Sequence, residues 1–279
     1  MTYKEAVDLL QKNGVESPAF DAAELFCRFA GASKSELFSD PHKSYSSTEL
    51  ADAVKKRCER IPLQYILGEW EFFGLPFEVS ADCLCPRADT EITVEETLKR
   101  LPEGARILEL CTGSGCIPIA ICHERQDIRA VSTDLFPDTL TIAKRNAEKN
   151  RVADRITFIK SDVFSRALNE HPESFDAIIS NPPYIPTRDL SSLSPEVRHE
   201  PQAALDGGED GLMFYREILG YYKRYLKPGG FIALEIGFDQ AELIKALALE
   251  NGFSCDIIKD LGGNDRCAVC QAKTTKQIK

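Results

Sequence analysis

The sequence predicts an α/β fold, with a mostly parallel sheet covered on both faces by helices and a small all-α bundle in front of it. Three observations carry this. From Ala105 onward, strand-like and helix-like patterns alternate, which is the order that builds a parallel sheet with helices on both sides. Residues 1 to about 70 instead show only helix-period patterns. The first strand of the alternating part runs into a small-residue loop, Cys111-Thr112-Gly113-Ser114-Gly115, and then into a helix. A chain of 279 residues is too long for one small domain, so two domains of unequal size are expected.

Composition narrows the function classes. Hydrophobic residues make up 43% and charged residues 28%, an ordinary balance for a globular protein, and no apolar run approaches the roughly 18–20 residues that span a bilayer. The start, Met1-Thr2-Tyr3-Lys4-Glu5, opens into a helical pattern rather than a charged-then-apolar leader, so a cytoplasmic location and no membrane partner are expected. A formal charge of −10 repels a phosphate backbone at long range, and no direct nucleic-acid binding is expected. Ten cysteines in a chain of this size, without an export signal, read as reduced core residues rather than a disulfide framework. The only Cys-x-x-Cys pair, Cys267 and Cys270, has a spacing that puts the two on opposite faces of a strand. His42, His123, His171 and His199 show no ligand spacing, and no metal is expected.

In the first part, Ala6, Leu9 and Leu10, then Ala19, Ala22, Ala23, Phe26 and Ala30, then Leu50, Val54, Cys58 and Ile61 fall at amphipathic helix spacing, with breaks at Asn13-Gly14, Gly31 and Asp40-Pro41. The run Lys55-Lys56-Arg57 with Arg60 reads as a solvated helix face rather than as a contact for RNA or an acidic partner. Trp70 to Val79 holds two aromatic-rich runs about Gly74-Leu75-Pro76, a predicted β-hairpin. Asp89 or Thr90 then stands where it could cap a helix continuing through Leu98. The domain boundaries expected are 1–70 for the bundle, 71–88 for the hairpin connector and 89–279 for the α/β part. Strands are expected at 106–111, 128–134, 156–162, 175–180 and 231–236, and helices at about 115–125, 138–150, 211–226 and 239–250. Phe253 to Lys259 and Cys267 to Ala272 are two further strand-like runs.

The candidate site residues sit at strand ends, where open α/β sheets bind ligands. The loop 111–115 lets a ligand approach the backbone, and the following helix N-terminus offers free N–H groups. Its Gly-x-Gly spacing lacks the third glycine of the dinucleotide fingerprint. Asp134 ends the second strand, 23 positions beyond Cys111, where a carboxylate accepts hydrogen bonds from ribose hydroxyls. Asp162 and Val163 end the third strand, suited to an adenine amino group and ring; Asp162 alone would equally cap a turn. Asn181-Pro182-Pro183-Tyr184 ends the fourth. Its prolines stiffen the backbone and leave carbonyls that can hold a planar amide.

Glu109-Leu-Cys-Thr-Gly-Ser-Gly115, Asp134, Asp162 and Asn181-Pro-Pro-Tyr184 resemble the motifs of class I S-adenosylmethionine-dependent methyltransferases. Pro86-Arg-Ala-Asp-Thr-Glu91, Gln64-Tyr65-Ile66-Leu67-Gly68 and Asn264-Asp265-Arg266 narrow the resemblance to the release factor glutamine methyltransferase family (PrmC/HemK), over nearly the whole chain. Cys111 stands where the family often has Gly, and Ala88 where it often has Pro. The resemblance implies a Rossmann-like sheet whose last strand is antiparallel. It implies S-adenosylmethionine bound by Glu109, Cys111, Thr112, Gly113, Ser114, Gly115, Asp134, Asp162, Val163 and Asn181. It also implies N5-methylation of the glutamine in the Gly-Gly-Gln motif of class 1 peptide chain release factors, with Asn181, Pro182 and Tyr184 catalytic, Pro183 joining them in substrate binding, and the bundle docking the substrate. Three rival readings stay open: glutamine methylation of a ribosomal protein, adenine-N6 methylation of nucleic acid, and a non-catalytic adapter with a vestigial pocket.

Overall fold

The computed structural model describes residues 1–272. The chain forms two compact units: Met1–Glu69 with Leu193–Glu200, and Trp70–Ser192 with the remainder from Pro201.

The first unit holds α1 (Tyr3–Lys12), α2 (Pro18–Ala30), α3 (Lys34–Ser39), α4 (Thr48–Cys58) and α5 (Leu63–Leu67). Local chemistry sets several of the ends. Thr2 with Glu5, and Ser33 with Glu36, form capping boxes, while Gly31 and Gly68 take the left-handed conformation that ends α2 and α5. Ala6, Leu10, Ala22, Leu25, Phe26, Leu37, Leu50 and Val54 are buried at helix spacing.

The basic run differs from the expected solvated face. Lys55 and Lys56 are exposed, but Arg57 is buried, because position 57 falls on the same helix face as Leu50, Ala53 and Val54. Its Nε donates to Asp21 Oδ2 at 2.6 Å and its Nη2 to Glu196 Oε1 at 2.8 Å. Arg60 donates to both Glu196 oxygens, at 2.5 and 2.7 Å. Glu196 thus ties 193–200 into the helical unit. Burial opposes ionisation of Glu196, but the hydrogen bonds from Arg60 and Arg57 outweigh it and bring its carboxyl down to about 2. Replacing Glu196 with Ala is expected to destabilise this unit by about 1.5–3 kcal/mol, since it takes from the buried Arg57 guanidinium one of its two carboxylate partners, Asp21 remaining. Hydrogen exchange of the α4 amides reads the loss, and a change below about 0.5 kcal/mol would mean a pair that contributes no more than a surface bridge. The contribution is fully present above the ordinary carboxylate range near 4.5 and disappears as pH falls toward 2.

The second unit opens with a hairpin of β1 (Glu69–Phe72) and β2 (Leu75–Glu78). Its turn is Phe73-Gly74, not Gly-Leu-Pro. Both turn residues have positive φ, 53° and 71°, the hand that matches strand twist, and Leu75 and Pro76 belong to the second strand. After α6 (Glu91–Leu98) come β3 (Arg106–Leu110), α7 (Cys116–Glu124), β4 (Arg129–Asp134), α8 (Pro137–Lys149), β5 (Ile156–Lys160), β6 (Phe175–Ser180), α9 (Met213–Gly220), β7 (Leu226–Glu235), α10 (Ala241–Glu250), β8 (Phe253–Lys259) and β9 (Asp265–Ala272).

The seven-stranded sheet has the order β5-β4-β3-β6-β7-β9-β8. Pairings from β5 through β7 are parallel, and β9, the last strand among the described residues, is antiparallel to both neighbours. Both faces are buried, as a covered sheet requires: Ile107 and Ile179 belong to one core, Leu108 and Ile178 to the other. Cys267 and Cys270 likewise divide between the two.

The helix expected over 211–226 stops at Gly220 and continues as a 3₁₀ turn, Tyr222–Tyr225. Tyr222 and Tyr225 send their hydroxyls to the carbonyls of Val163 and Leu168, at 3.1 and 3.2 Å, and these tertiary bonds override the helical pattern. No helix among the described residues is long and apolar enough to cross a membrane.

Candidate active site

The chain passes from β3 outward to β4 and β5, then returns to place β6 on the other side of β3. This reversal makes a crevice at the carboxyl ends of β3 and β6. The glycine loop follows β3 and Asn181 follows β6, so the two flank it.

In the glycine loop, Cys111 adopts φ +60°, a left-handed conformation that costs a β-carbon-bearing residue about 1–2 kcal/mol. The turn brings the Thr112 N–H to the Thr133 carbonyl at 2.9 Å and the Gly113 N–H to Asp134 Oδ2 at 3.0 Å. The other Asp134 oxygen accepts from the Phe136 N–H at 3.1 Å. Burial raises the Asp134 pKa and these N–H groups oppose the rise. Asn146, fully buried on α8, braces the loop: its Nδ2 donates to the Ser114 carbonyl at 2.9 Å and to the Glu78 carbonyl at 3.0 Å, and its Oδ1 accepts from the Glu78 N–H at 2.7 Å.

A cavity of about 360 Å³ lies over these strand ends. Of the residues expected from sequence, Glu109, Cys111, Thr112, Gly113, Ser114, Asp134, Asp162, Val163, Asn181 and Pro183 line it; Gly115, Pro182 and Tyr184 do not. Gly115 serves packing. A β-carbon there would lie 3.0 Å from Ile119 Cδ1 and 3.2 Å from Ala143 Cβ, so glycine lets α7 approach α8. Asp162 both lines the cavity and caps the turn after β5, accepting from the Phe164 N–H at 2.9 Å. Leu135, Phe136, Val163, Phe164, Met213 and Phe214 add apolar wall, and the Phe164 and Phe214 rings lie 4.9 Å apart.

The turn after β6 is held from several directions. Ser180 Oγ donates to the Leu110 carbonyl at 2.7 Å. Gln240 Nε2 donates to the Tyr184 carbonyl at 3.0 Å, and the Ile185 N–H and C=O pair with Leu205 and Gly207. A β-carbon at Gly207 would stand 2.7 Å from Tyr184 Cα, and one at Gly211 would collide with the Tyr184 carbonyl. Asn181 Nδ2 donates to Thr90 Oγ1 at 3.2 Å. Thr90 therefore does not cap α6, which has no side-chain cap; its hydroxyl faces the site. The Tyr184 hydroxyl approaches Glu235 Oε1 at 3.5 Å, and burial keeps that phenol well above its usual pKa.

A release factor glutamine methyltransferase from Geobacter sulfurreducens is 41% identical to this chain, covering 92% of it and 90% of the relative. The chain belongs to the release factor glutamine methyltransferase family. Its namesake from Caulobacter vibrioides is 37% identical over 94% of this chain and 92% of its own. Residues 2–68 match the family described as PrmC N-terminal domain, and residues 89–232 match the methyltransferase small domain. In fold, the chain is similar to a methyltransferase from Pyrococcus furiosus, with a TM-score of 0.52, 23% identity and coverage of 72% of this chain and 89% of that one.

Within this member of the release factor glutamine methyltransferase family, Thr90, Glu235, Gln240, Asn146, Gly207 and Gly211 support the site without having been expected to. Thr90 lay inside a motif already singled out; the others carry no local signal. Glu109 is buried at the end of β3 and accepts from the Thr112 hydroxyl. Burial is the main cause that pushes its carboxyl up to about 8, opposed by that hydroxyl and reinforced by Asp134. A raised carboxylate pKa contributes stability that is full below the unfolded value near 4.5 and is lost as pH rises through 8. The unfolding free energy of the ligand-free protein is thus expected to decline over that window, and Glu109→Gln to flatten the decline. Urea titrations at a series of pH values test this; equal slopes in both proteins would contradict it.

Proposed function

We propose that this chain transfers a methyl group from S-adenosylmethionine to the glutamine side-chain nitrogen in the Gly-Gly-Gln motif of class 1 peptide chain release factors. The observation that carries the reading is Asn181 on the cavity wall, its amide nitrogen turned to Thr90, which leaves its oxygen to accept from another amide.

The cavity suits an adenosyl ligand. Asp134 would take the ribose hydroxyls, and Asp162 with Val163 would meet the adenine. Glu109 with the 111–114 backbone would hold the amino-acid end. The volume falls in the ~300–1,000 Å³ range of small-molecule sites. When bound, S-adenosylmethionine supplies an electrophilic methyl group.

The residues of the chain address a different difficulty. An amide nitrogen is a poor nucleophile because its lone pair is shared with the carbonyl. Asn181 Oδ1 and the Pro182 carbonyl would each accept one amide hydrogen, which fixes the nitrogen's direction and raises its electron density. The two prolines keep these acceptors from reorganising, so catalysis rests on orientation and fixed dipoles rather than on a strong base. Tyr184 would pack against the amide plane and exclude water. The helical unit would dock the rest of the release factor, since four residues offer too little surface. Translation factors as substrates also imply a cytoplasmic location, and the charge of −10 favours a protein acceptor over nucleic acid.

Incubation with methyl-labelled S-adenosylmethionine and a purified release factor, beside a version whose Gly-Gly-Gln glutamine is changed to alanine, tests the assignment. Label is expected in the first protein only. Equal labelling of both would overturn it.

A further inference from the structure

We propose that Cys255 and Cys270 form a redox modification site, a thiol pair that hydrogen peroxide converts reversibly into a cross-strand disulfide at the edge of the sheet. The inference is independent of the function proposed above.

The topology makes the pair. β8 is an edge strand of the sheet and β9 lies beside it. In their antiparallel register Cys255 stands directly opposite Cys270. Opposed side chains share a face, and both cysteines pack with the core that holds Leu108 and Ile178. Their Sγ atoms are 3.3 Å apart, although the residues are 15 positions apart in the chain. Opposed positions of an antiparallel pair have Cα atoms about 4.5–5.5 Å apart, inside the range of about 4.4–6.8 Å that a disulfide spans. Bringing the sulfurs to the bond length of about 2.05 Å therefore asks for small side-chain rotations and no sliding of the strands.

A cysteine that only fills a core is inert, because burial keeps it protonated and out of reach. Burial raises the thiols of Cys116, Cys122 and Cys267 in this way, and those of the half-buried Cys27 and Cys58 as well. Cys255 differs. It is half-buried on the edge strand, while Cys270 is buried. The Cys270 thiol donates to Cys255 Sγ, and this bond, helped by Lys245, holds the Cys255 thiol below its ordinary value against burial and Asp256. The same bond, with burial, raises the Cys270 thiol. The pair thus joins an attacking sulfur at the sheet edge to a resolving sulfur already in contact with it.

The chemistry runs in two steps. The Cys255 thiolate attacks one peroxide oxygen: an S–O bond forms, the O–O bond breaks, and the departing hydroxide takes a proton to become water. Cys255 is then a sulfenic acid, oxidised by two electrons. Cys270 sulfur next attacks Cys255 sulfur: the S–S bond forms, the S–O bond breaks, and the hydroxide leaves with the Cys270 proton as a second water. Two thiols and one peroxide give one disulfide and two waters. A small thiol reverses the change by exchange.

The test treats the reduced full-length protein with hydrogen peroxide, blocks the remaining thiols with iodoacetamide in urea, and maps the peptides by mass. A linked peptide pair holding Cys255 and Cys270 is expected, two hydrogens lighter than the separate peptides and lost on treatment with dithiothreitol. Cys27 and Cys58, equally half-buried, serve as internal references. Alkylation of both Cys255 and Cys270 at a dose that has oxidised either reference would overturn the proposal, as would a bridge from either to a different cysteine. In Cys270→Ala, which lacks the resolving sulfur, Cys255 is expected to stop at the sulfenic acid and to be trapped by dimedone; no adduct would overturn Cys255 as the first sulfur attacked. If that variant does not fold, Cys255→Ser takes its place, with the linked pair gone; a disulfide still formed by Cys270 would overturn the pairing. The oxidised wild-type protein is expected to melt about 3–8 °C higher than the reduced one, since the bridge closes a short loop in the unfolded chain. A melting temperature no higher than that of the reduced form would overturn the claim that the register accommodates the bridge.

Discussion

Asn181→Ala is expected to lower turnover by about 100-fold or more while leaving cofactor affinity within a few-fold of wild type. Preorganised hydrogen-bonding groups aimed at a reacting centre are worth about 10²–10³ in rate when a single one is removed. Here the loss should reach that scale, since the acceptor amide would keep only the Pro182 carbonyl and would be free to turn. The substitution also leaves the Thr90 hydroxyl without the Asn181 amide, but it removes no apolar core and should not unfold the sheet. Single-turnover measurement at saturating S-adenosylmethionine isolates the chemical step. Near-normal single-turnover rates would exclude Asn181 from the mechanism whatever else binds in the cavity.

Asp134→Ala is expected to act on the other side of the reaction, weakening S-adenosylmethionine binding by about 100-fold. A hydrogen bond to a charged acceptor is worth about 1.5–3 kcal/mol, and about 2.7 kcal/mol corresponds to that factor. Asp134 also accepts from the N–H groups of Gly113 and Phe136, so part of the loss comes from a looser glycine loop. Asp134→Asn separates the contributions. It retains an acceptor for one N–H but loses the charge, and should fall between wild type and Asp134→Ala. Calorimetry with the product, S-adenosylhomocysteine, reads affinity without turnover. Unchanged affinity would sink the ribose assignment, whereas loss of turnover at constant affinity would move Asp134 into the chemistry.

The two substitutions are informative together because they lie on opposite sides of the crevice between β3 and β6. Among the described residues Asp134 and Asn181 have different side-chain hydrogen-bond partners: Asp134 is held by the glycine loop and its own turn, Asn181 by Thr90. Their effects on binding and turnover should therefore separate cleanly.

Much of the architecture was legible in the sequence because its causes are local. A helix break such as Gly31 acts between near neighbours, and a strand such as Ile107 to Leu110 announces itself by a short apolar run. Alternation of strands and helices then narrows the sheet to few arrangements. The strand-end residues of the candidate site followed from the same logic, since a ligand crevice at a chain reversal collects whatever stands at the carboxyl ends. Where local pattern and tertiary bonding compete, the sequence misleads. The tyrosines after Gly220 continue a helical spacing but form a 3₁₀ turn to reach the carbonyls of Val163 and Leu168. Arg57 looks like a surface charge, yet it sits on the buried face of α4 with Asp21 and Glu196 as partners.

By itself, then, the sequence determined the order of elements, the two kinds of structure on either side of residue 70, and the residue types at the strand ends. Those depend on period, turn chemistry and short motifs, all of which act between near neighbours. Only the tertiary structure decided what each polar side chain is bonded to: Asn181 with Thr90 across 91 positions, Tyr184 with Glu235 across 51, Arg60 with Glu196 across 136. Hydrogen bonds are satisfied by proximity in space, and no periodicity encodes that. A threonine that reads as a helix cap in the chain can therefore become, once the sheet closes, a hydrogen-bond partner of the asparagine at the site.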